Sequence, residues 1–141
     1  MNSKTKEKIA SIAKKIDLDL IIIFGSYAKK KNTSNSDLDV AYYSKKQINE
    51  NELVWEIIKA IKIEKVDLIK IDINNSVELN WEIFKNSILI YEKTENLYEE
   101  FFAKAFINYI DFKENIKIKE NILNKKLNSI NTKNFKKTLS I

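Results

Sequence analysis

Apolar residues recur every three or four positions over residues 4–16, where Ile9, Ile12, Ala13 and Ile16 share one side of an amphipathic helix. Asp17 and Asp19 bracket its end. The run Leu20–Phe24, LIIIF, is apolar throughout and predicts a buried strand. Gly25-Ser26 breaks that strand. Tyr27–Lys31 is read as a short helix, and the Asn, Ser and Thr cluster Asn32–Ser36 as a turn. Leu38, Val40 and Tyr42 then alternate with Asp37, Asp39 and Ala41, which is the period of a strand.

Asn49 followed by Glu52 resembles a capping box ahead of Leu53, Ile57, Ile58 and Ile61, a second helix. Val66–Ile73, VDLIKIDI, alternates as a third strand. Ser76 is placed to cap a short helix through Trp81 and Phe84, and Ile88–Tyr91 forms a brief strand. From Thr94 the pattern is helical, with Leu97, Phe101, Ala105, Tyr109 and Phe112 along one face. Residues 113–134 continue with Ile116, Ile118, Ile122, Leu123, Leu127 and Ile130 as another helix, and the last residues, NFKKTLSI, read as frayed. The aromatic helix around Tyr98, Phe101, Phe102, Phe106, Tyr109 and Phe112 has two uses: packing on its own sheet, or anchoring a partner.

Composition narrows what these elements can be. At 141 residues, with 44% hydrophobic and 32% charged, the chain suits one soluble globular domain. No apolar run approaches the roughly 20 residues of a membrane helix, and the first residues lack the apolar core of a signal peptide. With no cysteine, the expected setting is a reducing cytoplasm. The net charge of +5 is spread over lysines interspersed with acids, so direct nucleic-acid binding is not expected. The chain has neither histidine nor arginine. Acid–base work must therefore fall to Asp, Glu, Lys or Tyr, and phosphates must be met by lysine, backbone amides or metal.

The chemistry concentrates in IIIFGSYAKKKNTSNSDLDVAYYS. On a strand, residues two apart project to the same face, so Asp37 and Asp39 point together while Leu38 and Val40 pack the other way. Two carboxylates this close repel unless a cation or proton lies between them, and a hard divalent ion such as Mg²⁺ would satisfy them. Gly25, the only glycine of the chain, lets the backbone turn sharply after the most apolar strand, and Ser26 adds a hydroxyl. Asp67 enters an apolar segment. If its strand neighbours that of Asp39, three carboxylates converge as a two-metal site requires. Asp72 is the rival, beside the Asn-Asn turn. Each feature alone is ordinary; their combination is not.

This combination resembles the signature of the polymerase-β-like nucleotidyltransferase superfamily: Gly-Ser, ten residues, Asp-x-Asp, and a downstream strand Asp. The short chain is similar to the minimal nucleotidyltransferase (MNT) family. The resemblance covers residues 20–71, and helix 1–16 fits its opening element. It implies an α/β fold with a mixed central sheet flanked by helices and a C-terminal helical segment. By that resemblance Gly25 and Ser26 hold the nucleotide triphosphate, with Lys29 and Lys30 nearby. Asp37, Asp39 and Asp67 are the catalytic and metal-binding carboxylates, and Asp67 assists the acceptor hydroxyl. Many relatives carry Arg and Gly in the loop after Gly-Ser, where this chain has Tyr27-Ala28-Lys29-Lys30; a lysine can still contact phosphate, with less geometric fixing.

The stretch ILIYEKTENLYEEFFAKAFINYIDFK is similar to the tail of MNT antitoxins paired with HEPN ribonuclease toxins. The implied function is AMP transfer from ATP, with Mg²⁺, to a tyrosine of a HEPN toxin, which neutralises it. The HEPN active site uses Arg and His, so this chain is not the toxin half. The implied organisation is a nucleotidyltransferase core at 1–93 and a partner-facing helical extension at 94–141 within one compact domain. Two alternatives stay open: an antitoxin that acts by binding alone, and a transferase acting on a small molecule.

Overall fold

The computed structural model describes residues 1–29 and 37–139, with side chains as far as residue 131. Its elements are α1 (Ser3–Ile16), β1 (Leu20–Phe24), α2 (Gly25–Ala28), β2 (Leu38–Tyr43), α3 (Glu50–Ile61), β3 (Val66–Lys70), α4 (Val77–Phe84), β4 (Ile88–Glu92) and α5 (Leu97–Leu139). The turn expected at Asn32–Ser36 lies outside the described residues. The short helix expected over Tyr27–Lys31 instead begins at Gly25 and ends at Ala28. The chain divides into two compact units, Met1–Phe106 and a second beginning at Ile107.

The first unit holds a four-stranded mixed sheet in the order β3-β2-β1-β4. β1 is antiparallel to β2 and β4, and β2 is parallel to β3. Alternation along β1 and β2 sends side chains into two cores. Ile21, Ile23, Leu38, Val40 and Tyr42 pack with Ile9, Ile12 and Ala13 of α1 and Leu53 and Ile57 of α3. Leu20, Ile22 and Ala41 face the other way, toward Ile83 and Phe84 of α4 and Ala105 of α5. A sheet covered on both faces explains why β1 is apolar throughout.

The helix starts follow side-chain caps. Asn2 Oδ1 accepts from the Thr5 amide, Asn49 Oδ1 from Glu52, and Ser76 Oγ from Leu79. Glu92 accepts from the amides of Asn96 and Tyr98 at the head of α5. β3 stops at Lys70 rather than Ile73. The Asp72 carboxylate accepts from the Asn74 amide, and Asn75 Nδ2 donates to the Lys70 carbonyl, a turn that draws the chain off the sheet edge.

The aromatic start of α5 packs on its own sheet and on α4: Phe101 meets Tyr43 of β2 edge-on at 4.9 Å, and Phe102 meets Trp81 of α4 at 5.7 Å. Residues 113–134 do not start a new helix, because nothing between Phe112 and Lys113 interrupts the backbone bonding of α5.

Asp19, almost wholly buried, ties the start of β1 to both neighbours. Its amide donates to Tyr43 O at 3.0 Å, its carbonyl accepts from Lys93 N at 2.8 Å, and its carboxylate accepts from Lys45 N at 2.8 Å. Beside it Asp17, in the left-handed region at φ 66°, pairs with Lys46 at 2.8 Å and Lys93 at 2.7 Å. These lysines hold its carboxyl down at about 2. No helix among the described residues is long and apolar enough to cross a membrane.

Candidate active site

The sequence motif assembles at the far end of the sheet from Asp19. β1 ends at Phe24, which pairs with Asp39 across the antiparallel ladder, so the turn at Gly25 falls beside that carboxylate. Gly25 has φ +72°, and a Cβ there would collide with Asp39 Oδ2 and lie 3.0 Å from its Cγ. Only glycine supplies both the backbone angle and the space. On the other side of β2, Asp39 is in register with Asp67 of β3. Residues paired in a parallel ladder face the same way, and Asp37 shares that side two positions earlier.

Gly25, Asp37, Asp39 and Asp67 are thus brought together by strand register. Ser26 follows in α2, and Lys29 closes that turn through its amide to Gly25 O at 3.1 Å. Lys30 lies outside the described residues. Asp72 sits beyond the opposite end of β3, engaged in its own turn, and does not join the group.

Crowding shows in the electrostatics. Burial pushes the Asp39 carboxyl above its ordinary range, and the charges of Asp67 and then Asp37 push it further. Among the described residues an opposing charge comes from Lys65, which the motif does not contain. Its Nζ lies 3.4 Å from Asp37 Oδ2 and 3.7 Å from Asp67 Oδ1. Asp37, followed by Asp67, raises the lysine's affinity for its proton. Nothing in the sequence singles out this residue among 25 lysines; only the pairing of β2 with β3 puts it between two acids.

Three carboxylates and no nitrogen or sulfur donor form a hard oxygen set suited to Mg²⁺. The Lys65 ammonium already stands between two of them, Asp37 and Asp67, while Asp39 is raised first by burial and then by the charges of those two acids. As they stand around Lys65, no three acidic side chains among the described residues are gathered closely enough to grip an ion. In donor chemistry the three carboxylates fit such an ion. A neighbouring cleft of about 440 Å³, between Asn2, Tyr27 and Glu64, is lined by none of the three aspartates.

Comparison with known proteins agrees with this architecture. No curated protein sequence matches the chain. A chain from a crystal structure of a toxin–antitoxin with AMP-PNP aligns with a TM-score of 0.65 at 23% identity, covering 84% of this chain and 98% of the other. A chain from the structure of tri-AMPylated Shewanella oneidensis HEPN toxin in complex with MNT antitoxin aligns with a TM-score of 0.62 at 22% identity, covering 87% and 99%. A chain from the toxin–antitoxin MntA-HepT gives 0.61 at 21% identity, covering 86% and 99%. At such identities these likenesses establish the shared fold. The model of the family "Polymerase beta, Nucleotidyltransferase" matches residues 7–96, a span holding the turn, all three aspartates and Lys65, and the chain belongs to that family.

Proposed function

We propose that this protein is an antitoxin that transfers AMP from ATP to a tyrosine of a cognate HEPN ribonuclease toxin and so neutralises it. The observation that carries this reading is the register of Asp39 with Asp67, with Gly25 closed against Asp39. A turn suited to a triphosphate and a set of carboxylates suited to a phosphoryl-transfer site share one end of the sheet. Proteins of the same fold occur in complexes described as toxin–antitoxin with AMP-PNP and as AMPylated HEPN toxin with MNT antitoxin, which supports ATP as donor and a HEPN protein as acceptor.

In this reading Gly25 and Ser26 receive the triphosphate, and Lys29 and Lys30 offset its charge. Asp37, Asp39 and Asp67 would hold Mg²⁺, which when bound supplies charge neutralisation for the phosphates and the departing pyrophosphate. Asp67 orients the acceptor tyrosine, and its carboxylate takes the phenolic proton as the phenolate oxygen bonds to the α-phosphorus and the bond to pyrophosphate breaks. The chain has no histidine to do this work. Ile116, Leu123 and Leu127, exposed aliphatic residues on one face of α5, form the surface assigned to the partner.

Intact-mass measurement of the partner after incubation with the protein, ATP and Mg²⁺ tests the reaction. The expected result is a gain of one or more AMP groups together with loss of ribonuclease activity. Neutralisation without nucleotide and without mass gain would instead assign the effect to binding alone.

A further inference from the structure

Lys65 has a fixed root and a free head. Its carbonyl accepts from the Leu38 amide at 3.1 Å, the bond by which the chain entering β3 joins β2 next to Asp37. Its side chain is 65% exposed, and its ammonium reaches Asp37 and Asp67 at ion-pair distances of 3.4 and 3.7 Å. A lysine carries a point charge on a flexible stem, with no planar fork to lock it to either carboxylate. Contacts of this length and exposure are weak singly and are readily exchanged for water or another cation.

We propose that Lys65 is the exchangeable resident cation of the aspartate cluster: it occupies Asp37 and Asp67 until a divalent ion displaces it, and so sets the metal concentration at which the site loads. The proposal rests on reading the aspartates as a metal site. An oxygen facing the ammonium is not available to a metal in the same direction, and two cations so close repel. Loading therefore requires the lysine to swing out. Its exposed stem allows this without disturbing β3, because the backbone bond to Leu38 does not involve the side chain.

Mn²⁺ binding to the full chain, followed by the loss of the free-ion paramagnetic resonance signal without nucleotide or partner, tests this. Lys65→Met keeps the apolar stem and removes the charge. Relinquishing two exposed ion pairs predicts binding about three- to thirtyfold tighter than wild type. Lys65→Arg keeps a cation and is expected to bind no more tightly than wild type. Affinity of the Met variant equal to or weaker than wild type overturns the proposal, as does tightening of the Arg variant to the same degree. Asp39→Asn separates the two levels of the reading. If it abolishes Mn²⁺ binding while Lys65→Met fails to tighten it, the metal site stands and the role of Lys65 falls. If it leaves binding untouched, the metal site falls and takes this proposal with it.

Discussion

Gly25 lies so close to Asp39 that a Cβ on the first would run into Oδ2 of the second. The turn that ends β1 and the carboxylate at the start of β2 therefore form one packing unit. Gly25→Ala introduces both this collision and an unfavourable positive φ, a cost of about 1–3 kcal/mol. Displacing Asp39 is expected to cut AMP transfer by about 100-fold. In an Asp39→Ala background the clash with the carboxylate is gone, leaving only its Cβ at 3.3 Å, so denaturant unfolding should show Gly25→Ala to cost clearly less there than in the wild-type protein. Simple additivity would mean that the turn and the carboxylate are energetically independent.

Asp39→Asn should separate chemistry from folding. Burial and two neighbouring acids raise the folded-state pKa of Asp39 above its unfolded value. Its favourable contribution is thus present below the unfolded pKa and is lost as pH rises through the folded one. At pH 7 the ionised carboxylate opposes folding, and the neutral amide relieves that. The metal-free variant is expected to melt at or above the wild-type temperature at pH 7, with AMP transfer abolished. A markedly lower melting temperature, or retained transfer, would contradict the assignment.

Asp17 has the opposite sign. Hydrogen bonds from Lys46 and Lys93 lower its pKa from 3.8 to about 2, so its stabilising effect is present above the unfolded value and disappears as pH falls through the folded one. Asp17→Asn tolerates the left-handed backbone but forfeits both ion pairs. Its urea midpoint is expected below wild type at pH 7, with the gap closing as pH falls from about 3.8 toward 2. Because the pairs are exposed, 0.5 M salt should also narrow the gap.

The partner surface can be tested without touching the site. Leu123→Lys combined with Leu127→Lys places charges on exposed positions of α5, outside both cores. Unfolding of the isolated protein should change by less than about 0.5 kcal/mol. Capture of the HEPN partner is expected to fall at least about tenfold by surface plasmon resonance, while nucleotide affinity is retained. Unchanged capture would place the interface elsewhere.

Much of the fold is legible wherever one residue's surroundings come from its immediate neighbours. LIIIF reads as β1 because a strand buried on both faces has no polar position, and Asn49 and Ser76 announce helix starts because capping is local. The charge of Asp67 inside an apolar segment marks it before any partner is known. Lys65 is not legible in this way: its role comes from the β2–β3 register, which no spacing along the chain specifies. The hydrogen bond from Tyr42 to Glu50, at 2.5 Å, is hidden for the same reason. The end of β3 falls short of its apolar alternation because the side-chain turn of Asp72 and Asn75, not hydrophobic period, decides where it stops.

Asp19 gives the sheet a mechanical asymmetry. With its amide, carbonyl and carboxylate all engaged, it clamps β1 to β2 and β4 at the end remote from Gly25, like the fixed end of a cantilever. Stiffness is supplied at the root, and the tip is left to hold charges that repel one another. Strain at the tip is thereby kept apart from the bonds that hold the strands in line. Amide hydrogens near Tyr43 and Lys93 should accordingly be among the slowest to exchange, and those around Gly25 among the quickest within the sheet.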